Sequence, residues 1–129
     1  MAFRFVCVPA ALQDAPAGWA RDMLEEGEIA LLPDSGGLSA VSEVAHALGL
    51  ASIALVRGEP DAARQEETVI AHAGPLPLVW VAPGFSESAR RWAQERGPMT
   101  LLVAADAPLT DEERRRIERF VATLGRQSE

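Results

Sequence analysis

Residues 76–104 read LPLVWVAPGFSESARRWAQERGPMTLLVA, and the order of apolar and charged positions within them sets the architecture. Leu76–Val81 is a continuous apolar run and Thr100–Ala104 is another. Runs of this length, bounded by Pro and Gly, suit β-strands covered on both faces. Between them Ser86 is a candidate N-cap, Ala89, Trp92 and Ala93 share one helical face, and Arg90, Arg91 and Arg96 are expected to be exposed. A strand, a helix and a strand in so short a span form a β-α-β unit with parallel strands and a right-handed crossover.

The same alternation fills the rest of the chain. Apolar runs at Phe3–Val8, Glu28–Leu32 and Ser52–Val56 predict three earlier strands. A first helical segment follows Asp14 and Pro16, carries Trp19, Ala20, Met23 and Leu24, and stops at Gly27. A second follows Gly36 and Gly37 and places Val41, Val44, Ala45 and Leu48 at i, i+3, i+4 and i+7. A third, from about Asp61 to Ala73, has a thinner stripe of Val69, Ile70 and Ala73. The last opens on Thr110 with Glu113 three residues on, a capping box. Its first turn holds Asp111, Glu112 and Glu113, where the helix dipole favours negative charge, and Ile117, Phe120, Val121 and Leu124 form its buried stripe. Five strand-plus-helix units predict an α/β fold, a flavodoxin-like doubly wound five-stranded parallel sheet of order 2-1-3-4-5 with helices on both faces. Residues 1–129 are expected to form one domain.

Composition narrows the function classes. With 129 residues, 48% hydrophobic and 24% charged, the chain can bury a core without disulfides or metal. A net charge of -7 opposes nucleic-acid binding, which draws its affinity from cations neutralising phosphates. The longest apolar runs, such as Leu76–Pro83, fall far short of the roughly 20 residues that span a bilayer, and no basic-then-apolar leader precedes the first strand. The expectation is a cytoplasmic protein with no membrane partner and no cofactor. Cys7 lies inside the apolar run Phe5–Val8 and reads as a small core residue rather than a nucleophile. The absence of Lys, Asn and Tyr, residues with AT-rich codons, suggests a GC-rich bacterial genome or a heavily edited sequence.

In a sheet of order 2-1-3-4-5, ligands sit at the carboxyl ends of the strands near the switch point between strands 1 and 3. The candidate positions are Pro9 and Ala10, Asp34 and Ser35, Arg57 and Glu59, Ala82 to Gly84, and Ala105 to Ala107. The segments FRFVCVPAALQDAPAGWARDMLEEG, PLVWVAPGFSESARRWAQERG and LLVAADAPLTDEERRRIERFV resemble the first, fourth and fifth units of bacterial response-regulator receiver domains. That resemblance implies two carboxylates after strand 1 and an aspartate after strand 3, which hold magnesium and accept a phosphoryl group. It also implies a Ser or Thr after strand 4 and a Lys after strand 5. The acidic pair falls on Pro9 and Ala10, the phosphoacceptor on Arg57, the hydroxyl on Ala82 and the lysine on Ala105 or Ala107. Every chemical position is lost, so the resemblance implies a pseudo-receiver, a fold kept as a binding surface. Arg57 is expected to pair with Asp34, Glu59 or Asp106, since a guanidinium at the sheet edge needs acceptors.

Other constellations carry less. LLPDSGGLSAVSEVAHALGL opens a helix on two glycines and locally resembles sugar-nucleotide epimerases and related glycosyltransferases, although it lacks GxGxxG. With Arg57, the turn Asp34, Ser35, Gly36 and Gly37 is a candidate nucleotide or phosphate site. PLVWVAPGFSESARRWAQERG also resembles restriction-endonuclease-like domains, but the lysine such enzymes use is absent from the whole chain. His46 and His72 lack companions at metal-ligand spacing and read as surface residues. The serines Ser35, Ser39, Ser42, Ser86 and Ser88 form no GxSxG elbow. Trp19, Trp80 and Trp92 fall at core or strand positions. The expected role is therefore non-catalytic, with a protein partner or a homodimer. The expected surface is the fourth helix, fifth strand and fifth helix, through Arg90, Arg91, Arg96, Asp111, Glu112 and Arg115.

Overall fold

A computed structural model describes residues 3–12, 19, 27–32, 37–48, 54–105 and 108–127. In chain order these form β1 (Phe3–Cys7), a 3-10 turn (Pro9–Leu12), β2 (Gly27–Leu31), α1 (Gly37–Leu48), β3 (Ala54–Leu55) and α2 (Ala62–Ala73). There follow β4 (Leu78–Ala82), α3 (Glu87–Arg96), a second 3-10 turn (Gly97–Met99), β5 (Thr100–Ala104) and α4 (Asp111–Gln127). The first expected helix, apart from Trp19, lies outside the described residues. No described helix is long and apolar enough to cross a membrane.

The five strands are parallel, which is the α/β doubly wound class the alternation predicts. Their order is 3-2-1-4-5, not the expected 2-1-3-4-5. Periodicity identifies strands but not their lateral order, and both orders satisfy right-handed crossovers. Burial accounts for the difference. Phe5, Val6, Val79 and Val81 are 0% exposed and Trp80 2%, as both orders require of β1 and β4, so the difference rests on β3. Leu55 in β3 is 49% exposed, which a strand at the sheet rim tolerates. Register makes the centre explicit, with Phe5 beside both Ile29 and Val79, and Trp80 beside both Val6 and Leu102. The observed order is that of dinucleotide-binding sheets without their sixth strand, a topological likeness that carries no function by itself.

Strand alternation sorts the core into two layers. On one face Phe3, Phe5, Leu31 and Val79 pack with Val41 and Val44 of α1 and Ile117 and Leu124 of α4. Trp19 lies edge-on to Phe5, with centroids 6.5 Å apart. On the other face Val6, Leu78 and Trp80 pack with Val69 and Ala73 of α2 and Ala89 of α3. Trp80 is edge-on to Phe85 at 5.0 Å and to Trp92 at 6.5 Å. Full burial of one such side chain stabilises by about 1.5–3 kcal/mol, so these two layers hold the fold. Cys7 is fully buried and burial pushes its thiol far above the ordinary range, which leaves it a core residue. Gly27 faces the Phe3 ring so closely that a Cβ there would lie 2.5 Å from Cζ.

Helix ends follow the sequence signals. Thr110 N–H donates to Glu113 Oε1 at 2.9 Å and Glu113 N–H to Thr110 Oγ1 at 3.1 Å, the expected capping box. Ser86 Oγ accepts from Ala89 N–H at 3.1 Å and Asp61 Oδ1 from Ala63 N–H at 3.0 Å. Gly74 and Gly97, at φ 55° and 66°, close α2 and α3 in a conformation that favours glycine.

Two side chains depart from the expected surface positions. His46 is exposed, but His72 is half-buried, with Nε2 inaccessible, because α2 turns it toward the sheet beside Ala73. Arg96 is also half-buried, because its guanidinium folds back over the Trp92 ring at 4.6 Å and donates to the Leu76 carbonyl.

Candidate functional site

In the order 3-2-1-4-5 the switch point lies between β1 and β4, not between strands 1 and 3 as expected. The crevice is bounded by the turn after β1 and by the segment from Ala82 to the start of α3. A ligand cradle at such a place needs free backbone amides and a helix N-terminus. The turn after β1 lacks two of these amides. Pro9 has no N–H, and Ala11 N–H donates to Val8 O at 3.1 Å. Ala11 O in turn accepts from Leu109 N–H at 3.0 Å. Pro9 is buried, Ala11 is 2% exposed, and Leu12 and Leu109 are 4% exposed, so apolar side chains fill the β1 side.

The α3 side is occupied by the chain itself. Glu66 on α2 reaches across to the start of α3, where Oε2 accepts from Ser86 N–H at 2.9 Å and Oε1 from Ser86 Oγ–H at 2.5 Å. A carboxylate at a helix N-terminus is in the place that a phosphate would take. The sequence signal at Ser86 gave the N-cap, but nothing local to residue 86 pointed to Glu66, twenty residues earlier. Between α2 and the start of α3 lies a cleft of about 430 Å³ that includes Ala63, Glu66, Glu67, Ser86 and Ser88. Its polar groups are carboxylates and hydroxyls, and the Ser86 oxygen is committed to Ala89 N–H and Glu66.

Of the expected ligand turn, Asp34, Ser35 and Gly36 lie outside the described residues, and Gly37 is the first residue of α1. Arg57 follows β3, two strands removed from β1, so it does not meet Pro9, Ala10 and Ala82 as the receiver pattern implies. Ala105 does lie beside Ala82, donating its N–H to Ala82 O at 2.8 Å, while Asp106 and Ala107 lie outside the described residues. Arg57 is paired with Glu59, one of the three expected partners, with Nε donating to Oε1 at 2.8 Å and Nη2 at 2.7 Å. Thr68 Oγ–H donates to the same carboxylate at 3.1 Å. Gln65 closes the loop by accepting from Glu59 N–H at 2.8 Å and donating to Arg57 O at 3.1 Å. The hydrogen bond from Arg57, first among its causes, holds the Glu59 carboxyl below its ordinary pKa. This constellation fastens the β3–α2 loop, and the Arg57 side chain is 80% exposed.

The expected interaction surface divides across the sheet. Arg90 and Arg91 are exposed on α3, over one face, while Asp111, Glu112 and Arg115 are exposed on α4, over the other. The strand β5, last in the sheet order, runs between these layers and touches both helices. Asp111 pairs with Arg114 within α4. Arg96 does not belong to this surface, for the reasons given above. No protein-family model, curated protein or solved structure matches this chain.

Proposed function

We propose that this chain is a non-catalytic α/β domain that acts by binding protein, either another chain or a second copy of itself. The observation that supports this reading is the filled switch-point crevice. Pro9, Ala11, Leu12 and Leu109 take the space of a ligand cradle, and the Glu66 carboxylate takes the anion position at α3. From the receiver resemblance the reading keeps only the role of a fold used as a surface. The strand order departs from the receivers' 2-1-3-4-5, and Pro9, Ala10 and Ala82 supply neither the carboxylates nor the hydroxyl that a receiver uses.

The surface is the β5 edge with its flanking helices. An unpaired strand edge offers backbone donors and acceptors to a second chain. A two-fold arrangement there that sets α3 of one copy against α4 of the other brings Arg90 and Arg91 to Asp111 and Glu112. Sedimentation velocity at low and high salt tests this. The expected result is a dimer that loosens as salt rises and is abolished by reversing Arg91 and Arg115 to Glu. A monomer at every concentration and ionic strength removes self-association and leaves a different protein as the partner. Incubation with magnesium and acetyl phosphate is expected to leave the intact mass unchanged. A gain of one phosphoryl group that vanishes on changing Asp34 or Asp106 would overturn the non-catalytic reading.

A further inference from the structure

At the amino end of the sheet, on the face covered by α2 and α3, four buried polar atoms have no hydrogen-bond partner. They are Nε of Arg4, Nε2 of His72, Nη1 of Arg96 and Oγ1 of Thr100; a fifth such atom, Nε1 of Trp80, lies on the same face farther along β4. Register places Arg4 beside Leu78, and Leu78 beside Thr100. Strand alternation turns all three side chains to the face of Val6, Trp80 and Leu102. The two helices end over the same region, α2 at Ala73 before β4 and α3 at Arg96 before β5. Arg96 reaches from its helix end to the Leu76 carbonyl, and the next carbonyl, Pro77 O, accepts from Arg4 N–H at 2.9 Å. His72 lies near enough to Arg4 for that charge to act on its imidazole, with Glu28 acting in the opposite sense.

An unpaired buried donor costs about 1–3 kcal/mol, and a charged one more, so four together make a deficit that a ligand with several acceptor oxygens relieves. Three nearby carbonyls are already taken: Ile70 O by Gly74 N–H, Ala73 O by Leu76 N–H, and Leu76 O by Arg96. The region gathers, among the described residues, two guanidinium groups, Arg4 and Arg96, in a chain of net charge -7. Among the described residues the ion pairs are Arg57–Glu59 and Arg114–Asp111, so neither Arg4 nor Arg96 pairs with a carboxylate of a described residue. Glu28, the acid on this row, is exposed and stands on the side of Arg4 away from Leu78 and Thr100. We propose that this end of the sheet binds a small tetrahedral oxyanion, phosphate or sulfate, held by Arg4 and Arg96 and completed by His72 and Thr100. Guanidinium groups suit such an anion because their fixed N–H fork matches its oxygens. The site lies at the opposite end of the strands from the filled crevice and does not rest on the proposed protein-binding role, although Thr100 and Arg96 belong to β5 and α3, which also border that surface.

The test titrates the full chain with sodium phosphate against sodium chloride of equal ionic strength, following Tm and the NMR signals of the arginine Nε–H and histidine ring groups. The expected result is a saturable rise in Tm, signal changes centred on Arg4, His72 and Arg96, and an upward shift of the His72 titration. Arg4→Gln and Arg96→Gln should each weaken phosphate binding about tenfold or more, as loss of a charge-assisted hydrogen bond does. A Tm rise that is linear in phosphate and equal in the variants is the general effect of excluded salts and overturns the proposal. A His72 titration indifferent to phosphate overturns it too, and so does an ordered water bridging the four atoms in phosphate-grown crystals. Should either variant fail to fold, the wild-type spectra decide.

Discussion

At the carboxyl end of the sheet the polar groups close on one another, whereas at the amino end four of them face no partner. Ser86 meets Glu66, Ala11 O meets Leu109 N–H, and Arg57, Glu59, Gln65 and Thr68 knit one loop. Arg4, His72, Arg96 and Thr100 each keep an unused atom. In open α/β sheets the carboxyl end is the usual place for ligands. Here the β1 side of that end is filled by apolar side chains and Glu66 takes the start of α3, leaving the cleft between α2 and α3, while unpaired polar atoms collect at the other end. The same topology therefore supports either arrangement, and the residues at the strand ends choose between them.

Removing the apolar seal strikes this contrast hardest. Leu12 and Leu109 are each 4% exposed, and Leu12→Ala or Leu109→Ala should lose about 2–5 kcal/mol in urea unfolding with an unchanged m-value. A loss below about 1 kcal/mol, the range of a surface change, would mean that the carboxyl end is not packed shut. At the amino end the tightest contact is Gly27 against Phe3. Gly27→Ala sets its Cβ against a ring that is 1% exposed and cannot swing away, so a loss of about 1–3 kcal/mol is expected from thermal melts. An unaffected Tm would mean that the Phe3 ring packs elsewhere. Ser86→Ala removes the N-cap of α3 and a donor to Glu66, for a loss of about 0.5–2 kcal/mol. Ser86→Asp should do no better, because its carboxylate meets Glu66.

The smallest effect separates the two ends by pH. Burial, then the charge of Arg4, holds the His72 pKa below its ordinary 6.5, with Glu28 opposing. The unfolded imidazole then binds its proton at higher pH than the folded one. This contribution to stability is intact above pH 6.5 and declines as pH falls below it toward the folded pKa. Glu59, held below its ordinary 4.5 chiefly by Arg57, adds a loss only in the more acid range below that value. His72→Gln should flatten the first slope and leave the second. A slope near pH 6 that survives the substitution would place its origin elsewhere.

Much of the fold was legible. The capping box at Thr110, the N-cap at Ser86 and the stripes Val41–Val44 and Ile117–Leu124 are local patterns, and local patterns survive into structure. Strand order was not legible from periodicity, because each strand records its burial but not its neighbour. The apolar run of β4 fits an interior strand in either order, and only the structure, with Leu55 49% exposed, puts β3 at the edge. That Arg57 is paired was readable from its need for acceptors, but Glu59 was one of three candidates and the sequence did not choose it. Glu66 with Ser86, and Arg96 with Leu76, each span twenty residues and depend on how two helices lie side by side. Solvent exposure was assigned to His72 and Arg96 from residue type, and packing beside Ala73 and over Trp92 overrode it.

The pairing of β1 with β4 carries a kinetic consequence. Arg4 pairs with Leu78 and Val6 with Trp80, across more than half the chain. A chain emerging from the ribosome can dock β2 on β1 early, but the other edge of β1 stays open until β4 has been made. Loop closure over that distance must precede the contacts that reward it, so folding of this small domain should be slow for its size. During that interval the apolar edge around Phe5 and Val6 is where a nascent chain is most exposed to aggregation or most in need of a chaperone.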